Sequence, residues 1–131
     1  MTQKLLFTGK THTTGGRDGA TRSSDGFLDL KLAAPHPAAE QLFAAAWSAC
    51  FIGAIEFTAN QRKIALPTTP AVDAEIDLSL GDDGFSLSAR LNVSVPGIDA
   101  ETARALVDAA HQICPYSKAT RGNVDVEVTL V

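Results

Sequence analysis

Leu42-Phe43-Ala44-Ala45-Ala46-Trp47-Ser48-Ala49-Cys50-Phe51-Ile52-Gly53-Ala54-Ile55 carries Ser48 as its one conventionally polar side chain. The run is predicted to lie in a helix from about Pro37, a favoured first-turn residue, to about Asn60. A helix that is apolar all round must be covered on every side. Its alanines and Gly53 keep it thin, so neighbouring elements can approach closely. At 14 residues the run is shorter than the roughly 20 that cross a bilayer, so membrane insertion is not expected.

Beyond this helix the pattern changes to period 2. Val72, Ala74, Ile76, Leu78 and Leu80 alternate with Asp73, Glu75, Asp77 and Ser79. After Gly81-Asp82-Asp83-Gly84 the alternation resumes with Phe85, Leu87, Ala89, Leu91, Val93 and Val95, which predicts a β-hairpin with one wet face. Val124, Val126, Val128 and Leu130 repeat the pattern at the C-terminus. Leu28, Leu30 and Leu32 mark a shorter strand after the turn Ser23-Ser24-Asp25-Gly26, and Lys4–Thr8 is read as a strand pairing with it. A second helix is expected after Asp99, a good N-cap, with Ala103, Leu106, Val107, Ala110 and Ile113 on one stripe and Pro115 as its stop.

The 131 residues, 45% hydrophobic and 20% charged, suit one globular domain spanning residues 1–131. A net charge of −4 argues against a nucleic-acid partner. The start of the chain holds only a short apolar patch, Leu5–Phe7, so the expectation is a cytoplasmic protein. One sheet and one further helix cannot cover the apolar helix alone. The expected fold is therefore α+β, completed by a second copy in an intimate homodimer.

Two cysteines, 64 positions apart, fit neither a disulfide-stapled scaffold nor a CxxC motif. Cys50 reads either as a small core hydrophobe or as a reactive thiol that needs a cation brought to it. Cys114 ends the second helix, where the dipole disfavours a thiolate, so it suits a resolving thiol better than an attacking one. Arg17 lies in Thr14-Gly15-Gly16-Arg17-Asp18-Gly19, either as a solvated turn residue or as a charge that can swing into a site. Glu40 reads as a first-turn acid complementing the helix dipole or as a functional carboxylate. His12, His36 and His111 lack ligand-like spacing, and no phosphate loop occurs, so neither a metal nor a cofactor is expected.

Thr14-Gly15-Gly16-Arg17-Asp18-Gly19, Ser23-Ser24-Asp25-Gly26, Glu40-Gln41-Leu42-Phe43-Ala44-Ala45, Ser48-Ala49-Cys50-Phe51 and the run His111–Asn123 containing Cys114-Pro115-Tyr116-Ser117 closely resemble the OsmC/Ohr family of organic hydroperoxide resistance proteins. The resemblance runs nearly end to end and in order. It implies an intertwined homodimer with antiparallel sheets wrapped around central apolar helices, and a thiol peroxidase that reduces alkyl or lipid hydroperoxides to alcohols. It also implies Cys50 as the peroxidatic thiol, Cys114 as the resolving thiol in a Cys50–Cys114 disulfide, and Arg17 with Glu40 as the activating pair. The electron donor it implies is a dihydrolipoyl group on a lipoylated protein. The stretch Leu32–Glu40 departs from the family by being shorter, with Ala38-Ala39 where Asn-Pro is expected. That departure supports a competing reading as a ligand-binding or thiol-sensing protein without turnover; a third reading is an apolar dimerisation module with structural cysteines.

Overall fold

A computed structural model describes residues 3–34 and 38–131. Their contacts group into two compact units, Met1–Ala39 and Glu40–Val131. The secondary structure is α+β, as expected.

In the first unit, strands β1 (Thr11–Thr14), β2 (Ala20–Ser23) and β3 (Asp29–Lys31) form an antiparallel sheet with β2 in the middle. The strand expected at Lys4–Thr8 is irregular, and β3 pairs with β2 instead. The physical reason lies in the side chains. Leu5, Leu6 and Phe7 form a consecutive apolar run that does not alternate, and all three are exposed. Thr11, Thr13 and Thr14 are β-branched strand formers, and the Thr13 and Thr21 hydroxyls bond across the ladder at 2.8 Å. The β2–β3 turn follows the sequence expectation: Asp25 Oδ1 accepts from Ser23 Oγ and the Phe27 N–H, and Gly26 takes φ +80°.

The second unit contains helix α1 (Ala38–Gln61), strands β4 (Ala71–Gly81) and β5 (Gly84–Ser94), helices α2 (Ala100–Ile113) and α3 (Pro115–Thr120), and strand β6 (Asp125–Leu130). The expected start of α1 at Pro37 lies outside the described residues. Strands β4 and β5 form the anticipated hairpin, with Gly81 opposite Gly84 across the two-residue turn Asp82-Asp83. The order is β4-β5-β6, and β6 runs parallel to β5, so this sheet is mixed rather than antiparallel. Residues 95–124 supply the crossover that parallel pairing needs, and a hairpin alternation cannot show it. Pro115 ends α2 as expected, yet a further short helix begins at that proline.

The helices cover one face of the sheet. Trp47, Phe51 and Ile55 of α1 are fully buried in one cluster with Ala89, Leu91 and Val93 of β5 and with Leu106, Val107 and Ala110 of α2. The other face is wet: the Arg90 guanidinium forks onto Asp77 at 2.8 and 3.0 Å and reaches Glu75 at 3.0 Å. The apolar strip of the hairpin continues past this cover, leaving Leu80 and Phe85 at its tip 73% and 74% exposed. With 24 residues, α1 is long and apolar enough to cross a bilayer, so the exclusion drawn from its 14-residue run does not stand on length. Its buried Trp47–Phe51–Ile55 stripe is instead that of a core helix.

Asp99 caps α2 as anticipated, accepting from the Thr102 N–H at 2.9 Å and the Thr102 hydroxyl at 3.0 Å. These two bonds, the backbone one foremost, hold its carboxyl below the ordinary 3.8. A carboxyl depressed on folding stabilises the fold fully above its unfolded pKa, and that contribution fades as pH falls through the folded value. Asp99→Ala is expected to lower the urea midpoint at pH 7 without changing the slope, and the gap to wild type should close as pH falls below 3.8. Asp99→Asn, an equally good cap, should keep the pH 7 midpoint.

Candidate functional site

Both thiols belong to the second unit. Cys50 sits in the middle of α1, half-buried, packed against the apolar cluster of which Cys114 is a fully buried member. Aromatic rings line the same region. The Phe43 and Trp47 centroids lie 5.5 Å apart, Phe43 and Tyr116 6.3 Å, and Phe51 and the His111 ring 6.2 Å. Apolar surroundings push the Cys50 thiol above its ordinary value, and the neighbouring Cys114 adds to the push by charge repulsion. Neither influence activates a nucleophile; lowering the Cys50 pKa needs a cation.

Cys114 occupies a corner. Its N–H bonds the Ala110 carbonyl and closes α2, while its own carbonyl accepts from the Lys118 N–H and opens α3. The backbone there is extended, φ −59° and ψ 126°, as a residue before proline requires. The sequence expectation of a thiol facing only a helix C-terminus is thus corrected, because Cys114 also stands at the start of the next helix.

Arg17 belongs to the first unit, in the 3-10 turn Gly16–Asp18 between β1 and β2. The turn is tightly wound rather than an open swinging loop. Gly15 takes φ +77°, the Gly19 N–H bonds the Gly16 carbonyl at 3.1 Å, and a Cβ on Gly19 would run into the Thr14 carbonyl. Glu40 lies in the first turn of α1. Because α1 is continuous from Ala38 to Gln61, Glu40 and Cys50 are ~15 Å apart along the axis, and no helix break shortens that path. The structure thus brings Cys50 and Cys114 together and leaves Glu40 remote from the sulfur along its own helix.

Three further side chains at the corner were not singled out as a group from sequence. The Trp47 indole N–H donates to Ser117 Oγ at 3.1 Å, and Ser117 Oγ lies 2.9 Å from His111 Nδ1. Spacings of 70 and six residues across a proline follow no helical or strand rule, so only the fold could show this chain. Among the described residues, no three of His, Cys, Asp and Glu gather as metal ligands would.

Comparison with known proteins places these features. The family model described as OsmC-like protein matches residues 32–129. The organic hydroperoxide resistance protein of Xanthomonas axonopodis pv. citri is 44% identical over 98% of this chain and 96% of its own length. OhrB of Bacillus subtilis is 41% identical over 95% of this chain and 98% of its own. The OhrB crystal structure superposes with a TM-score of 0.88, covering 97% of this chain and 100% of that one at 41% identity. That of an organic hydroperoxide resistance protein from Legionella pneumophila gives 0.89, at 40% identity, over 97% and 98% of the two chains. By sequence across nearly its whole length and by fold, the chain belongs to the OsmC/Ohr family.

Proposed function

We propose that the protein is a cysteine-based peroxidase that reduces organic hydroperoxides. The observation that carries the reading is the pair of thiols: the only two cysteines of the chain meet in one apolar cluster, one half-exposed and one at a proline corner. The names of the relatives supply the substrate class. Cys50 thiolate attacks one peroxide oxygen, the O–O bond breaks, and the alkoxide takes a proton from water and departs as the alcohol, leaving Cys50 sulfenic acid. Cys114 sulfur displaces that hydroxyl as water and the Cys50–Cys114 disulfide forms. An external dithiol, a dihydrolipoyl group on a lipoylated protein, takes the oxidation in turn and restores both thiols. Phe43, Trp47 and Phe51 around the thiols favour alkyl or lipid substrates, each buried CH₂ of an apolar tail contributing about 0.8 kcal/mol.

Arg17 supplies the missing cation and Glu40 holds it, as a guanidinium–carboxylate pair can do in two parallel hydrogen bonds. The proposed peroxidase is a single functional domain, residues 1–131, in a cytoplasm where dithiols are available. A second copy of the chain completes it. Ala45, Ala49, Gly53 and Phe57 form an exposed row on α1, and Leu5, Leu6, Phe7 and Phe27 are exposed in the first unit. The raised Cys50 thiol favours one rival, a ligand-binding or thiol-sensing protein without turnover.

Turnover of cumene hydroperoxide with dihydrolipoamide separates the two, and its absence in folded protein would sink the peroxidase. Cys50→Ser is expected to abolish peroxide consumption. Cys114→Ser should keep one turnover, stop at a dimedone-trappable sulfenic acid and drift to sulfinic acid under excess peroxide. Arg17→Ala should shift the pH–rate profile of Cys50 oxidation to higher pH, because the thiol would lose the cation proposed to offset burial; a shared profile would remove Arg17 from the mechanism. Light scattering should give twice the 13.7 kDa chain mass. Gly53→Arg, where an added Cβ would meet nothing within 4 Å beyond its own stretch of helix among the described residues, should yield a folded monomer, and an unchanged mass would exclude this face from the interface.

A further inference from the structure

We propose that Ser117 and His111 are positioning residues for the Cys114 thiol, acting as a clamp that holds the α2–α3 corner against α1. The inference goes beyond the peroxidase reading by assigning roles to residues outside its chemical steps, and it rests on that reading for the importance of the Cys50–Cys114 bond.

The corner has a mechanical problem. Pro115 forces Cys114 out of the helical region, so α2 cannot continue. The six residues of α3 are too few for a helix to hold itself in water. Something outside α3 must fix it, and Ser117 is fully buried where it meets two other helices. Its hydroxyl receives the Trp47 indole N–H of α1 at 3.1 Å. An indole can only donate, so the serine proton is left to point elsewhere, and the His111 Nδ1 of α2 lies 2.9 Å away. His111 then serves as a neutral ring with its proton on Nε2. Burial foremost, and the Arg121 charge next, lower its pKa below the ordinary 6.5 while Asp108 pulls the other way, which keeps the ring neutral at physiological pH.

The clamp bears directly on the disulfide. Cys114 lies between His111 and Ser117 in sequence, and Trp47 stands one turn before Cys50 on α1. One hydroxyl therefore ties the segment carrying Cys114 to the helix carrying Cys50. Disulfide geometry accepts a Cα separation of only about 4.4–6.8 Å, so a corner that drifts loses productive encounters.

The test measures closure of the Cys50–Cys114 disulfide by quenched flow and intact mass, with one equivalent of cumene hydroperoxide in one arm and diamide in the other. Diamide takes up both thiol hydrogens as the disulfide forms and becomes the hydrazine, so it needs no sulfenic acid. Ser117→Ala and His111→Leu are expected to slow closure roughly 10–100-fold in both arms while single-turnover peroxide consumption stays at the wild-type rate. His111→Asn, whose amide oxygen can replace Nδ1 as acceptor, should recover most of the loss. Closure at the wild-type rate in both Ser117→Ala and His111→Leu overturns the proposal. So does equal slowing by His111→Asn and His111→Leu, or equal slowing of both steps. Wild-type protein that closes with diamide but not with peroxide defeats the peroxidase reading alone, and slowed closure of the variants in the diamide arm still supports the clamp. Wild-type protein that closes with neither oxidant overturns both. Thermal unfolding of each variant confirms that rates are read on folded protein.

Discussion

Burial of the Trp47–Phe51–Ile55 stripe of α1 against β5 and α2 is the constraint on which the second unit turns. Each of these large side chains, taken wholly out of water, contributes on the order of 2 kcal/mol or more of apolar transfer free energy. The stripe also imposes an obligation. A buried indole N–H without an acceptor costs about 1–3 kcal/mol, so Trp47 needs the Ser117 hydroxyl, and Ser117 needs the corner that delivers it. Packing and polar satisfaction thus select the same arrangement of α1, α2 and α3. Among the described residues no buried side-chain nitrogen or oxygen lacks a partner.

The same burial works against a nucleophile. A thiol moved into an apolar site becomes harder to ionise, and a second thiol beside it makes matters worse, which is the combination found at Cys50. A cation that neutralises the thiolate must outweigh both influences. The proposed cation, Arg17, sits in a turn whose shape is fixed by Gly15 and Gly19, a rigid base for a long side chain.

Much of this was legible in the sequence where one face of an element is wet and the other dry. The β4–β5 hairpin, the stripe on α2 and the Asp99 cap follow from alternation, period and cap chemistry. Strands β1 and β2 did not, because Thr-His-Thr-Thr and Ala-Thr-Arg-Ser carry no apolar alternation and hold together through the ladder and threonine pairing. The Lys4–Thr8 strand failed for the opposite reason, apolar residues without a pattern. Proline reads as a stop, and at Pro115 it is also a start, since a missing N–H costs nothing in a first turn. The parallel placement of β6 and the Trp47–Ser117–His111 chain depend on a crossover whose path no local pattern encodes. The meeting of Cys50 with Cys114 belongs to that class too: residue spacing left open whether they pair, although the helix-end position of Cys114 already suited a resolving thiol.

The unequal burial of the two thiols gives the proposed cycle a direction. Disulfide exchange proceeds by a thiolate attacking one sulfur in line with the departing one, so access decides which sulfur is struck. Cys50 is half-buried and Cys114 fully buried. In the proposed cycle an incoming dithiol would therefore meet the Cys50 sulfur, form the mixed disulfide there and expel Cys114 as the leaving thiolate. That departure would return Cys114 to its place within the apolar cluster, at the corner that Ser117 is proposed to hold. The donor's second thiol would then close its own ring and free Cys50. A reversed arrangement, with Cys114 exposed and Cys50 enclosed, would present the reductant to the wrong sulfur and shut the peroxide out of the same opening. One access route to Cys50 can thus serve both substrate and reductant, and it requires the thiol at the corner to stay covered.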